Sequence, residues 1–335
     1  MHLVKRITAC IFCSLIYIVL PHCLFAQYHI KSGPDTALSM QRDSDKTRIY
    51  RITNKKFNET YMQNLMPSTA GQEFFDPQKT LLVADLTANF VLLNTPKLPV
   101  FFVASARVNL RLLADHGDPV ESPSYMPGGT LYFRINGDAY YPRFLSVSYT
   151  HHSNGVRGPT LNPDGTFNTD SGKFTTNFYT LTYHTGKETD KDDLIINRYD
   201  ALGLELHSAL VGLGYSQALK GKYGFVRING NWLYNIEHAV ADPIDKNKRN
   251  FLNWQRLQLD FEYIMDKYDN YAITDFKKRL NINLKYYYQF PFMQNVSFLV
   301  GAGYRGQDDY NIFFQDSYPY VTIGFAAGLS FNIHR

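Results

Sequence analysis

Long segments that alternate between apolar and polar side chains recur along this chain after residue 80, and they limit its fold more than any other feature. In the segment TLLVADLTANFVLL, residues 80–93, alternate positions from Leu82 to Leu92 are apolar, while the opposite face carries Asp85, Thr87 and Asn89. A period of two places successive side chains on opposite faces of a β-strand. The pattern returns in residues 255–265, 278–290 and 319–333, with Gly, Pro, Asn and Asp clusters between the segments. The sequence therefore predicts an all-β chain.

The length of these segments distinguishes a membrane barrel from a soluble sandwich. Strands of sandwiches average five or six residues, whereas about ten are needed to cross a bilayer at a tilt. The polar faces carry bulky charged residues, as in a narrow lumen, and the 25 Tyr and 24 Phe cluster near strand ends. After the first 26 residues no segment approaches the 18 consecutive apolar residues of a membrane helix. We therefore predict an antiparallel transmembrane β-barrel in the outer membrane of a Gram-negative bacterium.

The number of strands is expected to be about twelve, with ten or fourteen as alternatives. Eleven segments qualify, and single-chain bacterial barrels have an even number. They cover residues 81–93, 99–113, 129–137, 144–153, 175–186, 202–217, 223–235, 255–265, 278–290, 295–305 and 319–333. The missing strand is expected within 45–80, where KTRIYRIT is a candidate. Residues 187–201 and 236–254 are long for turns and have no explanation at this level.

The start of the chain has the features of a secretory signal peptide. MHLVKR is followed by an apolar run that ends near Phe25, and a small residue, Ala26, precedes the predicted cleavage site. All three cysteines lie in this leader, so the mature chain has neither disulfides nor thiol chemistry. Without Lys5 and Arg6 the formal charge falls from +4 to +2, which gives no argument for a nucleic-acid partner. We divide the chain into a signal peptide (1–26), a polar segment with a possible first strand (27–80) and the barrel (81–335).

The segment FLSVSYTHHSNG, residues 144–155, carries polar side chains on the face that its own alternation assigns to lipid. The outward positions at the start of the segment are apolar or aromatic, and the last two outward positions are His151 and Ser153. The next strand, 175–186, places Asn177 on its outward face at the same end of the barrel. Imidazole can take a proton from a neighbouring hydroxyl, and a side-chain carbonyl can hold the other ring nitrogen. The three residues predict a nucleophile, a base and an orienting group, although single polar residues at a barrel rim are also common.

Two histidines are adjacent in this segment, and only one shares a face with the serine. His151 is two residues from the serine, so both lie on the same strand face. His152 belongs to the opposite face together with Ser146, Ser148 and Thr150. We expect His151 to act as the base and His152 to line the lumen.

The segment YTHHSNG, followed by TTNFYTL, resembles the active-site signature of the outer-membrane phospholipase A family. That family is a twelve-stranded barrel with a Ser-His-Asn triad on its outer wall. The resemblance begins near Lys79 and is strongest around the motif. It implies that Ser153 is the nucleophile, His151 the base and Asn177 the orienting residue, and that the backbone N–H of Gly155 stabilises the oxyanion. The activity it implies is hydrolysis of phospholipid acyl esters.

The resemblance also implies a calcium ion bound between two protomers of a homodimer. Val156 occupies the position of a backbone carbonyl ligand, and the ligand from the partner protomer falls near Glu121 or Ser122. Further oxygen ligands of the kind calcium takes, which are also ordinary turn formers, are Asp164, Asn168 and Asp170. The strand at 99–113, where the family has a glutamine at the dimer contact, has a wholly apolar outward face here.

Two other functions remain open. Lipid A deacylases also carry a His-x-Ser-Asn segment, but their orienting residue is a carboxylate, and the outward face that contains Asn177 has no Asp or Glu. A non-enzymatic porin-like or structural barrel needs an open lumen, whereas large Arg, Tyr, Gln and Glu side chains point inward here. We therefore predict a calcium-dependent phospholipase A that acts on membrane phospholipids and dimerises when active.

Overall fold

The structure is a computed structural model. The residues it describes are 66–77, 79–95, 97–114, 123–136, 138, 141–191, 193–208, 215–241, 249–293, 295–310, 315–328 and 330–332. The signal peptide, the segment KTRIYRIT, Glu121 and Ser122 lie outside the described residues, so these predictions are untested.

Strands make up most of the described chain. They are β1 (Ser68–Phe74), β2 (Thr80–Asn94), β3 (Val100–Leu113), β4 (Ser124–Arg134), β5 (Arg143–Ser153), β6 (Thr175–Lys191), β7 (Leu194–His207), β8 (Val226–Ala241), β9 (Arg249–Ile264), β10 (Leu280–Gln289), β11 (Val296–Arg305), β12 (Tyr318–Ala327) and β13 (Ser330–Asn332). A 3₁₀-helix, Gln217–Leu219, precedes β8, and a short helix α1, Phe276–Arg279, precedes β10. Among these residues we find no helix with the length and apolar character needed to cross a membrane.

The sheet closes on itself through β1. Strands β2 to β12 pair antiparallel in sequence order, and β1 pairs with both β12 and β2. At the seam Gly71 lies opposite Gly324. A side chain on Gly71 would place its Cβ 2.4 Å from the carbonyl oxygen of Ile323, so the close approach of the two strands requires glycine. The chain is a closed, twelve-stranded antiparallel β-barrel, as predicted, and closure removes the unpaired strand edges that lipid does not tolerate.

The twelfth strand is the one that the alternation pattern did not locate. β1 lies within the range 45–80 where it was expected. Its sequence, STAGQEF, has no apolar alternation and contains a glycine, so it carries little strand signal. Three residues of β13 add parallel to β2 beside the seam.

The outer wall is apolar and the lumen is polar. On β10, Ile282, Leu284 and Tyr286 are 38%, 46% and 39% exposed. The alternate residues Asn283 and Lys285 instead line a lumen cavity of about 480 Å³. This outward apolar face with an inward polar one is the pattern of an outer-membrane barrel.

The two segments without a sequence explanation, 187–201 and 236–254, are strand wherever the structure describes them, except at residue 193. β6 continues to Lys191 and β7 begins at Leu194, while β8 continues to Ala241 and β9 begins at Arg249. Both hairpins extend past β5, whose pairing with β6 begins only at Arg143, opposite Thr185. The sequence did not indicate them because charged residues on both faces interrupt the alternation.

Aromatic side chains fill the lumen at the end opposite Ser153. Phe144 is fully buried and stacks on His184, with ring centroids 4.5 Å apart. The two ring nitrogens of His184 contact Ser146 Oγ at 2.7 Å and the Tyr199 hydroxyl at 2.5 Å. Phe101 joins the same cluster. The lumen is therefore packed here rather than open.

Candidate active site

His151 and Asn177 lie directly opposite each other on β5 and β6. The distance between His151 Nδ1 and Asn177 Oδ1 is 2.7 Å. Asn177 is 1% exposed, while His151 is half-buried on the outer wall. Because the amide oxygen can only accept, the proton lies on His151 Nδ1, and Nε2 keeps a free lone pair. This is the ring form that can act as a base.

Ser153 ends β5 on the same face as His151. It pairs with Thr175 of β6 on one side and with Tyr125 of β4 on the other. The Cα atoms of residues two positions apart on a strand are about 6–7 Å from each other, and their side chains lie on the same face. Among the described residues the structure gives Ser153 Oγ no hydrogen bond, and contacts of this kind often form only when substrate binds. Asn177 and His151 are thus in contact, with Ser153 at the next position of the same face.

The backbone after Ser153 is held by Asn154. Its side chain is 3% exposed, donates to the carbonyl of Gly172 at 2.8 Å and accepts from the N–H of Phe174 at 3.0 Å. The next residue, Gly155, has φ +71°, where glycine is favoured, and is exposed. The loop base therefore fixes the residue whose N–H is the candidate oxyanion donor. Sequence reasoning gave Asn154 no role, although it lies within the motif.

Tyr149 also contacts Asn177, and the sequence did not single it out. Its hydroxyl donates to Asn177 Oδ1 at 2.9 Å. The alternation did place Tyr149 on the face of His151, but a face assignment cannot show which atom a hydroxyl reaches.

His152 points into the lumen, as its strand position predicted. It is 1% exposed, and its ring meets the edge of Phe174 with centroids 4.8 Å apart. Its Nε2 has no hydrogen-bond partner among the described residues. It is separated from the lipid face by the barrel wall.

The lumen holds other hydroxyl–histidine contacts, which are closed to lipid. Thr176 Oγ1 lies 2.8 Å from His207 Nδ1, and His207 Nε2 lies 2.8 Å from Glu205 Oε1. Thr176 is fully buried. The arrangement resembles a triad in composition, but no acyl chain in the bilayer can reach it.

Of the residues predicted to bind calcium, the structure describes Val156, Asp164, Asn168 and Asp170, all in the segment between β5 and β6. Asp164 accepts from the backbone N–H and the hydroxyl of Thr166 at 2.9 and 2.6 Å, and these bonds lower the pKa of its carboxyl. Asn168 accepts a backbone bond within its own turn, and Asp170 and Val156 lie elsewhere in the same loop. Over the described ranges no three His, Cys, Asp or Glu side chains are placed to hold a metal. The calcium ligands therefore stay a prediction.

Residues 306–310, the described start of the loop after β11, lie in the lumen at the Ser153 end, where Gln307, Asp308 and Tyr310 are buried. Arg227 donates to Gln307 Oε1 at 2.8 Å and to Asp309 Oδ1 at 3.1 Å. Arg111 donates to Asp308 Oδ2 at 2.5 Å. Burial raises the pKa of the Asp308 carboxyl, but the Arg111 guanidinium and its neighbours outweigh burial and hold that pKa below its ordinary value. Two buried arginines thus hold this loop inside the barrel.

Comparison with known proteins finds solved barrels of low identity and no matching family. No family model matches the chain, and no curated protein does. A structure of outer membrane phospholipase A from Escherichia coli shares 12% identity over 78% of this chain and 91% of that one, with a TM-score of 0.47. A Salmonella typhi outer membrane phospholipase dimer with bound calcium shares 12% identity over 78% and 90%, with a TM-score of 0.49. The NanC porin shares 10% identity over 79% and 100%, with a TM-score of 0.38. Since a lipase and a porin both match at these levels, the similarity does not choose between them.

Proposed function

We propose that this chain is a phospholipase A of the outer membrane that uses Ser153, His151 and Asn177. The observation that carries the proposal is the 2.7 Å contact between His151 Nδ1 and Asn177 Oδ1 on the lipid-facing wall, beside Ser153. Polar side chains on that wall are costly unless compensated. In an enzyme whose substrate lies in the membrane, polar side chains on this wall can contact the substrate directly.

The reaction follows from the position of each group. His151 Nε2 takes the proton from Ser153 Oγ as this oxygen attacks the ester carbonyl. The N–H of Gly155 donates to the oxyanion of the tetrahedral intermediate. His151 then protonates the departing lysophospholipid alcohol, which leaves an acyl-serine. Water, deprotonated by His151, releases the fatty acid and restores the serine.

The substrate class is tested by fatty-acid release from purified protein in detergent micelles. We expect hydrolysis of phosphatidylethanolamine and none of lipid A. Lipid A deacylases use a carboxylate to orient the histidine, whereas Asn177 is the residue opposite His151 here. Hydrolysis of lipid A without hydrolysis of phospholipid would replace the proposal with that alternative.

A porin function is disfavoured by the loop that Arg227 holds in the lumen, and this gives a prediction. We expect the wild-type protein to conduct little in planar lipid bilayers. Arg227→Ala removes the donor to Gln307 and Asp309, so the loop loses one of its two arginine contacts, and we expect conductance to rise severalfold. Arg198→Ala is the control, because Arg198 is exposed and, within the described part of the chain, its guanidinium pairs with Asp200 of its own strand. A large, stable wild-type conductance would favour a porin.

Calcium and the homodimer are further proposals that rest on the resemblance, and the mechanism above routes no step through the ion. We expect EGTA to stop fatty-acid release and excess calcium to restore it. Asp164→Ala should leave this dependence unchanged, because Asp164 Oδ1 already accepts two hydrogen bonds from Thr166 within its own turn. Full activity in EGTA would remove calcium from the proposal and leave the serine mechanism intact.

A further inference from the structure

We propose that Tyr149 is a positioning residue, which fixes the side-chain amide of Asn177 and thereby the tautomer and orientation of His151. The inference rests on the proposed function for its catalytic consequence. Its structural content, the control of the ring form of His151, can be measured without any substrate.

One oxygen atom receives both contacts. Tyr149 donates its hydroxyl hydrogen to Asn177 Oδ1 at 2.9 Å, and His151 Nδ1 lies 2.7 Å from the same oxygen. Asn177 is 1% exposed, so water does not compete for it. The oxygen therefore has two protein donors on the outer wall.

A second donor matters because the orienting group is an amide. A carboxylate presents an oxygen whichever way it turns, but half a turn of an amide exchanges its oxygen for an NH₂ group. A turned Asn177 would donate to His151 Nδ1 and favour the ring form with its proton on Nε2. In that form Nε2 carries a hydrogen and has no lone pair with which to accept the proton of Ser153. The turned amide would also leave the Tyr149 hydroxyl hydrogen facing lipid, so the phenol favours the productive orientation.

Tyr149 is itself held in place by the neighbouring strand. It pairs with Tyr179 of β6, and their ring centroids are 5.3 Å apart. The hydroxyl of Tyr179 has no hydrogen-bond partner among the described residues. The two tyrosines share a face, a strand pair and a ring contact, but only Tyr149 reaches Asn177. Tyr179 therefore provides a matched control.

The kinetic test compares Tyr149→Phe with Tyr179→Phe. We expect Tyr149→Phe to lower kcat roughly tenfold, as for one lost hydrogen bond to a positioned group, with KM unchanged, and Tyr179→Phe to leave both values within about twofold. In an Asn177→Ala background, Tyr149→Phe should have no further effect, because the two residues act through one contact. Equal effects of Tyr149→Phe in the two backgrounds would overturn the inference.

The substrate-free test observes the imidazole directly. Nitrogen-15 NMR of protein labelled at histidine, with His151→Ala to assign the signals, should show His151 protonated at Nδ1 in wild type and a mixture of ring forms in Tyr149→Phe. Identical spectra would overturn the inference. If Ser153→Ala keeps full activity, the proposed function fails whatever Tyr149 does. If Ser153→Ala is inactive while Tyr149→Phe matches wild type, only the inference on Tyr149 fails.

Discussion

Ser153→Ala is expected to reduce fatty-acid release from phospholipid by about a thousandfold or more, as for removal of a nucleophile. The variant removes Ser153 Oγ, the atom that attacks the ester carbonyl in the proposed mechanism. The side chain of Ser153 is half-exposed and, among the described residues, makes no hydrogen bond, so its loss should not disturb folding. The measurement is the rate of fatty-acid release per folded protein, with folding judged by the heat-dependent mobility shift on a denaturing gel.

The matched control is Ser148→Ala on the same strand. Ser148 has the opposite orientation and points into the lumen, so we expect wild-type activity from this variant. Undiminished activity of Ser153→Ala would exclude the serine mechanism. Equal losses in the two variants would show that the effect arises from the barrel rather than from the nucleophile.

His151→Ala is expected to cause a loss as large as that of Ser153→Ala, while His152→Ala should keep activity within about threefold of wild type. Members of a triad act as a unit, so removal of the base costs about as much as removal of the nucleophile. His151 contacts Asn177 on the outer wall, whereas His152 packs against Phe174 inside the barrel. The two variants remove the same side chain at adjacent positions.

This pair is measured with the same release assay, normalised to folded protein. His152→Ala leaves a space beside Phe174, so a lower yield of folded barrel is expected without a lower rate per molecule. A reversed result, with His152 essential and His151 dispensable, would place the chemistry in the lumen and would contradict a substrate that lies in the membrane.

Much of the fold could be predicted from sequence, because the alternation of β5, β9, β10 and β12 is a direct consequence of one apolar and one polar wall. β1 could not be located, since its approach to β12 selects Gly71 and Gly324 rather than apolar residues. The extended hairpin of β6 and β7 was missed for a related reason. The end of β6 (187–191) is polar on both faces and the start of β7 (194–196) is apolar on both, so the two-residue period gives no signal.

For the candidate site, strand parity was enough to place His151 and Ser153 on one face, His152 on the other and Asn177 on the outward face of β6 at the same end of the barrel. The cross-strand register that brings Asn177 to His151 depends on turn geometry that the alternation does not encode. The contact of Tyr149 with Asn177 could not be predicted, because it depends on the length and direction of a side chain across two strands. The roles of Asp164 and Asn168 depend on local turn bonds, which compete with any metal for the same oxygens.

The most direct test of the central claim is covalent labelling with a long-chain alkyl sulfonyl fluoride, followed by mass spectrometry of peptides. The reagent carries an acyl-like chain into the lipid-facing wall and reacts with an activated serine. The account predicts one adduct, on Ser153, that is absent from Ser153→Ala and strongly reduced in His151→Ala. An adduct on a different residue of the wild-type protein, or equal labelling of Ser153→Ala, would contradict it.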